Sequence, residues 1–245
     1  MKKISIIIAT YNAEATLKCC LESIICQKTE EIELLIIDGH SKDQTLNIIK
    51  SYIKYVDILI SEPDKGIYDA WNKGINKASG QWIMFMGADD CLLSNALSKY
   101  LKLIESIDYK KIDYISARNE YIDNNGNVLM TLGEPYSWKK FKKYMCVAHV
   151  ASLHSAQLFK TIGVYNLTYK ICGDYELLMR KKLNSLFLND IIAQMKMGGM
   201  SLSFNAVYET MTIRKKYSSV SNLLNILLTI NGIIWVIWRK YLTLN

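Results

Sequence analysis

Two adjacent carboxylates, Asp89 and Asp90, close the apolar run Trp82-Ile83-Met84-Phe85-Met86, which reads as a buried strand ending abruptly in charge. Two anions side by side at the edge of a core need hydrogen bonds or a cation to compensate them. A divalent metal carrying a diphosphate meets that need, because hard cations bind carboxylate and phosphate oxygens alike. Taken alone, the pair also reads as a solvated Asp-Asp turn. It is not alone: Thr10-Tyr11-Asn12, Asp38-Gly39-His40-Ser41 and Glu62-Pro63-Asp64-Lys65-Gly66 each follow an apolar run in the same way.

The elements that must position these groups follow from hydrophobic periodicity. Ile4 to Ala9 is a strand, and Ala15 to Cys26 carries apolar residues at helical spacing. Ile32 to Ile37 is a second strand ending at Asp38, and Ser41-Lys42-Asp43 opens a helix running to about Lys54. Val56 to Ile60, Ile67 to Ala78 and Gln81 to Met86 repeat the pattern as strand, helix and strand. Uniformly apolar strands alternating with helices predict an α/β fold with a parallel sheet covered on both faces. In such sheets ligands bind beyond the carboxyl ends of the strands, where the polar clusters lie. After Ser106 the alternation weakens, with a hairpin turn at Asp123-Asn124-Asn125-Gly126 and a second helical stretch from Asp174 to Leu183. The chain therefore divides into residues 1–106, a second half at 107–213 that completes the cleft within the same domain, and a C-terminal segment at 214–245.

With 245 residues, 50% of them hydrophobic and 22% charged, the composition is that of a globular domain and excludes a disordered chain. The net charge of +7 comes from scattered Lys and Arg, with local groups at Lys139-Lys140, Lys142-Lys143, Arg214-Lys215-Lys216 and Arg239-Lys240. Such groups suit phosphate or a phospholipid surface; with no zinc-finger spacing or helix-turn-helix pattern, no nucleic-acid partner is expected. The six cysteines form no CxxC pair and do not cluster with the three histidines, which fits free thiols in a reducing compartment. Met1-Lys2-Lys3 precedes too few apolar residues for a signal-peptide core, so the cytoplasm is the expected location.

The C-terminal stretch Leu223 to Trp238 is almost wholly apolar, interrupted by Asn225, Thr229, Asn231 and Gly232. It falls short of the roughly 20 apolar residues that span a bilayer. Trp235 and Trp238 beside basic residues suit a helix lying at the lipid interface, and a core or dimer helix is the alternative.

Four motifs stand in order at the ends of four successive strands: Ile8-Ala9-Thr10-Tyr11-Asn12; Asp38-Gly39-His40-Ser41-Lys42-Asp43-Gln44-Thr45; Glu62 through Gly74; and Gly87-Ala88-Asp89-Asp90. They resemble the nucleotide-sugar-dependent glycosyltransferases of the inverting family 2, which have a GT-A fold with a Rossmann-like, mostly parallel sheet. The resemblance continues through His149, Leu158-Phe159 and Gly173 to Arg180, and reaches Gly198-Gly199-Met200-Ser201. It covers roughly residues 3 to 205 and looks closest to the branch that builds bacterial O-antigen and capsule repeats.

The resemblance implies roles. Residues 1–106 would bind the nucleotide sugar, with donor contacts from Thr10, Tyr11, Asp38, Asp64, Lys65, Asn72 and Asp89. Asp38 would accept from the imide N–H of a uracil, unless it caps the next helix; Ser41 and Asp43 stand better placed to cap and leave it free. Tyr11 would border the base or else be a core tyrosine, and Asp64-Lys65-Gly66 is a turn in either case. Asp90 would bind Mn²⁺ or Mg²⁺, with Asp89 serving the ribose or the metal shell. Asp174, at a helix start whose dipole favours an anion, matches the family's catalytic base; Glu176 is the second choice. His149 matches an acceptor-side position. The chain departs from the family pattern at Gly173, where many relatives carry another acid, and at Val150, where many carry Gln. The expected activity is metal-dependent inverting transfer of a hexosyl or N-acetylhexosaminyl group, from a UDP-sugar to a lipid-linked saccharide at the cytoplasmic face of the inner membrane. The rival readings are a non-catalytic nucleotide-sugar-binding subunit and a sugar nucleotidyltransferase. The latter usually needs a basic Gly-rich phosphate loop, which Ala9-Thr10-Tyr11-Asn12 does not supply.

Overall fold

β-Branched and apolar runs set the first half of the chain. A computed structural model describes residues 1–123, 125–197, 203–218 and 220–243, the stretch 239–243 as backbone only. Gly198-Gly199-Met200-Ser201, Asn124 and the side chains of Arg239-Lys240 thus lie outside the described residues. The first elements are β1 (Ile4–Thr10), α1 (Leu17–Ile25), β2 (Ile32–Asp38), α2 (Thr45–Ser51), β3 (Ile58–Ser61), α3 (Ile67–Ile75) and β4 (Trp82–Gly87). β1 pairs in parallel with β2 and β4, and β2 with β3, placing Thr10, Asp38 and Ser61 in register. Their polar carboxyl ends therefore share one rim.

Next come β5 (Cys91–Leu92), α4 (Ala96–Glu105), β6 (Tyr114–Ile122), β7 (Val128–Leu132), α5 (Trp138–Phe141), β8 (Leu153–Ser155), α6 (Ala156–Ile162), α7 (Gly173–Met179), β9 (Ser185–Lys196), α8 (Phe204–Tyr217) and α9 (Asn222–Thr243). The sheet order is β3-β2-β1-β4-β8-β6-β9-β5, with β7 hydrogen-bonded to β6. It is parallel from β3 to β4, antiparallel on both sides of β8, and parallel again between β6 and β9. The period-2 pleat sends Ile4, Ile6 and Ile8 to a core shared with α1, α2 and α4, while Ile7 joins α3, α6 and α7 on the opposite face. Helices cover both faces, as apolar parallel strands require.

Several boundaries differ from the sequence reading; α3 ends at Ile75 rather than Ala78, and the helix expected from Asp174 to Leu183 is α7, which ends at Met179. α2 begins at Thr45 rather than Ser41: Ser41 Oγ accepts the Asn12 N–H, and Asp43 bridges the first loop to the helix start, its Oδ2 accepting the Glu14 N–H and its Oδ1 the Thr45 N–H. β3 begins at Ile58, after a 3₁₀ turn at Ile53–Tyr55. At the expected hairpin, of which Asn124 lies outside the described residues, Asp123 accepts the N–H groups of Asn125 and Asn127, and β6 pairs antiparallel with β7.

His154 on β8 is fully buried among Phe85, Tyr114, Phe159 and His149. Neither ring nitrogen finds a partner at hydrogen-bond geometry. Burial, then the neighbouring His149, holds the His154 pKa well below 6.5. A depressed base is protonated more readily in the unfolded chain, so stability falls as pH drops below the unfolded value of about 6.5. His154→Phe is expected to raise Tm by about 3 °C at pH 7.5, by removing two buried ring nitrogens whose backbone approaches to Ile83 and Ser152 fall short of good hydrogen-bond geometry. The gain widens at pH 5.5; a gain that does not widen, measured by calorimetry at both pH values, overturns this account.

Candidate active site

The loops after β1, β3 and β4 enclose a cleft of about 530 Å³, within the range of small-molecule sites. Its lining includes Thr10, Tyr11, Asn12, Asp64, Gly66 and Asp89. Tyr11 is 64% exposed, so it is an open aromatic face and not a core tyrosine. Asp64 Oδ1 accepts the Gly66 N–H at 2.8 Å. Its Oδ2 and the Tyr11 ring both close on Gly39, 2.6 and 3.3 Å from where a Cβ would stand.

Asp38 is not free. Oδ1 accepts Thr10 Oγ1 at 3.1 Å and Ser41 Oγ at 2.5 Å; Oδ2 accepts the Ser41 N–H at 3.1 Å and Ser61 Oγ at 2.7 Å. Burial opposes the charge, but these donors outweigh it and hold the carboxyl below its ordinary value. All four acceptor positions are occupied. The side chain is fully buried and clamps the ends of β1, β2 and β3 beneath the cleft floor.

Asp89 and Asp90 converge over Gly87. A Cβ there would stand 2.8 Å from Asp89 Oδ1 and 3.0 Å from Asp90 Oδ2. Asp90 is only 4% exposed, whereas Asp89 is open to the cleft. Burial, then the charge of Asp89, pushes the Asp90 pKa up to about 8, and the hydrogen bond from the Gly87 N–H offsets only part of this. Such a pair is short of positive charge. Among the described residues no group of three or more His, Cys, Asp or Glu is placed to hold a metal. Two carboxylates are nonetheless what Mg²⁺ or Mn²⁺ takes from a protein when phosphates and water complete its shell, so the residues fit a divalent cation arriving with a diphosphate.

The second half supplies Asp174, in the first turn of α7. Its Oδ1 accepts the Tyr175 N–H at 2.8 Å and lies 3.4 Å from the Tyr68 hydroxyl. Tyr68 stands on α3 between the cleft-lining Ile67 and Ala70, and donates to the Ile171 carbonyl at 2.5 Å. The departure at Gly173 has a steric cause: any Cβ there would lie 2.8 to 3.0 Å from the Tyr68 ring. Tyr121 on β6 is pushed up to about 12, first by burial and then by the charges of Asp90 and Asp174.

Four other expected site residues are placed elsewhere or otherwise engaged. Glu176 is 1% exposed and paired with Arg180 at 2.5 Å, and it also accepts the Tyr217 hydroxyl, which removes it as a base. His149 is buried between Trp71 and Phe85, with Nε2 3.1 Å from the Tyr165 hydroxyl, so it backs the site without reaching its surface. Asn72 exchanges two 2.9 Å hydrogen bonds with the Tyr165 backbone and ties α3 to the second half. Lys65 is exposed, with its N–H held by Asp69. The sequence reading missed Tyr68 as a contact of Asp174, although it lies inside the third motif. It also missed Ser41 and Ser61 as partners of Asp38.

Residues 5–156 match the profile of glycosyl transferase family 2. The chain belongs to that family. A PGL/p-HBAD biosynthesis glycosyltransferase of Mycobacterium bovis is 33% identical over 188 residues, spanning 72% of this chain and 68% of that protein. The structure of S. aureus TarS 1-349 in complex with UDP-GlcNAc superimposes with a TM-score of 0.67 at 19% identity, covering 94% of this chain and 71% of that one. A mannosyltransferase of Pyrobaculum calidifontis in complex with GDP-Man and Mn²⁺ gives 0.65 at 11% identity, covering 95% and 74%. The fold of this family 2 glycosyltransferase is therefore of the GT-A type, and the cleft lies on the carboxyl rim of its parallel strands.

Proposed function

We propose that this glycosyltransferase transfers a hexosyl or N-acetylhexosaminyl group, with inversion, from a UDP-sugar to a lipid-diphosphate-linked saccharide in bacterial surface polysaccharide synthesis. The observation that carries the reading is the convergence of Asp89 and Asp90 over Gly87 at the end of β4; it is supported by Asp174, whose Oδ1 lies 3.4 Å from the hydroxyl of Tyr68 on α3, the helix that also carries the cleft-lining Ile67 and Ala70. Tyr11 and Asp64 receive the nucleotide, with Thr10 in the cleft floor. Asp89 and Asp90 would hold Mn²⁺ or Mg²⁺, which supplies charge neutralisation to the diphosphate leaving group. Asp174 accepts the acceptor hydroxyl's proton as its oxygen bonds to the anomeric carbon and the nucleotide diphosphate departs.

The lipid side of the reading is supported by α9, which is turned inside out. Three of its polar and small residues face the protein, while Asn222 and Asn231 are exposed: Asn225 accepts from the buried Arg214 at 2.7 Å, Thr229 accepts from Arg214 at 3.0 Å, and Gly232 packs on Val207. Most of its apolar residues face outward, with Leu223 69%, Ile226 54% and Ile234 58% exposed against a buried Val236, and Phe204 and Tyr208 of α8 are exposed as well. No helix of the described residues is long and apolar enough to cross a membrane. An outward apolar stripe with exposed Trp235 and Trp238 suits a helix embedded in the cytoplasmic leaflet of the inner membrane. Radiolabelled transfer from a panel of UDP-sugars with Mn²⁺ tests the activity, and flotation with anionic phospholipid vesicles tests the surface. No transfer from any UDP-sugar defeats the first. Equal flotation after deletion of 218–245, or a stable dimer that ignores vesicles, defeats the second.

A further inference from the structure

We propose that Glu209 is the positioning residue for Asp174; this rests on the reading of Asp174 as the base. Glu209 lies in the middle of α8, 35 positions beyond Asp174 in the sequence. Its carboxylate accepts three successive backbone N–H groups, those of Lys170 at 2.8 Å, Ile171 at 3.0 Å and Cys172 at 2.7 Å. These residues form the loop that delivers Gly173 and Asp174 into the first turn of α7. The neighbouring Cys172 thiol donates to the Ala206 carbonyl, one helical turn before Glu209. On the other side of the loop, the Ile171 carbonyl takes the Tyr68 hydroxyl, so the segment is held from α8 and from α3 at once.

Three consecutive N–H groups directed at one carboxylate leave the loop little freedom, and no neutral side chain satisfies all three equally. A Gln of the same length accepts through a single oxygen and brings an N–H₂ group toward N–H donors, so the loop must move. A base displaced by about 1 Å costs on the order of 10²-fold in rate. The same helix carries α9 through Arg214 and Val207, so the outward apolar helix and the base loop are parts of one unit.

The test compares Glu209→Gln with Val207→Ala, which loosens the α8–α9 contact without touching the loop. Both are assayed at a temperature well below either Tm, with kcat and donor KM from UDP-sugar transfer and UDP affinity by calorimetry. Glu209→Gln is expected to lower kcat 10- to 100-fold, with donor KM and UDP affinity within twofold of wild type. Val207→Ala is expected to lower Tm with kcat unchanged. A Glu209→Gln enzyme with wild-type kcat overturns the inference, as does one whose kcat falls only as far as that of Val207→Ala. A wild-type enzyme that transfers no sugar instead defeats the functional reading on which the inference rests.

Discussion

Asp174→Asn is expected to lower kcat for sugar transfer by 10² to 10⁴, the worth of a positioned general base, while UDP affinity stays within twofold. The substitution keeps size and shape, and the Asn carbonyl can still accept the Tyr175 N–H that now reaches Oδ1. What it removes is the capacity to take up a proton. The nearest acidic neighbour cannot substitute, because Glu176 is buried against Arg180 and Tyr217. Glu176→Gln should therefore act on stability and not on chemistry. Transfer from a radiolabelled UDP-sugar reads the effect, and an Asp174→Asn enzyme keeping more than a tenth of wild-type kcat assigns the base elsewhere.

Asp90→Asn is expected to cost at least about 100-fold in activity and, in EDTA at pH 8, to raise Tm by several degrees. The two effects have one origin. Asp90 is a buried carboxylate whose ionisation is opposed by burial and by Asp89, so at pH 8 without a cation the folded chain either holds an unrelieved charge or takes up a proton that the unfolded chain would release, and both cost stability. An amide removes that charge and can still accept the Gly87 N–H. Binding linkage separates the forms further: Mn²⁺ with UDP should raise the Tm of wild type and leave that of Asp90→Asn unmoved. If the variant is both less active and less stable in EDTA, Asp90 is a structural carboxylate and the metal assignment falls.

Much of the first half was legible because parallel strands buried on both faces read as unbroken apolar runs, and their ends are marked by the first polar residue. Asp38, Asp64 and Asp89-Asp90 were found by that rule. What each does was less legible. Asp38 looked free because helix capping is a local rule, whereas the donors that saturate it come from β1, β3 and the loop after β2. The fate of Glu176 could have been read, since Arg180 lies four residues on along the same helix face. β9 was hidden by Asn189-Asp190 in its middle, and α8 by the lack of a clean apolar stripe. Glu209 left no local trace, because its partners are loop N–H groups that any sequence would supply.

The Asn72–Tyr165 exchange and the fit of Tyr68 over Gly173 carry a lesson for recombination. The chain changes character near residue 106, but α3, which packs on β1 and β2, is also bonded to residues far beyond that point. A single crossover near 106 would keep one parent's Tyr68 and Asn72 and ask them to seat another parent's 165–174 loop. The unit that can be exchanged between relatives is thus discontinuous: the downstream half must travel with the α3 residues it touches, Tyr68 and Asn72, while the sheet-facing side of α3 stays matched to β1 and β2.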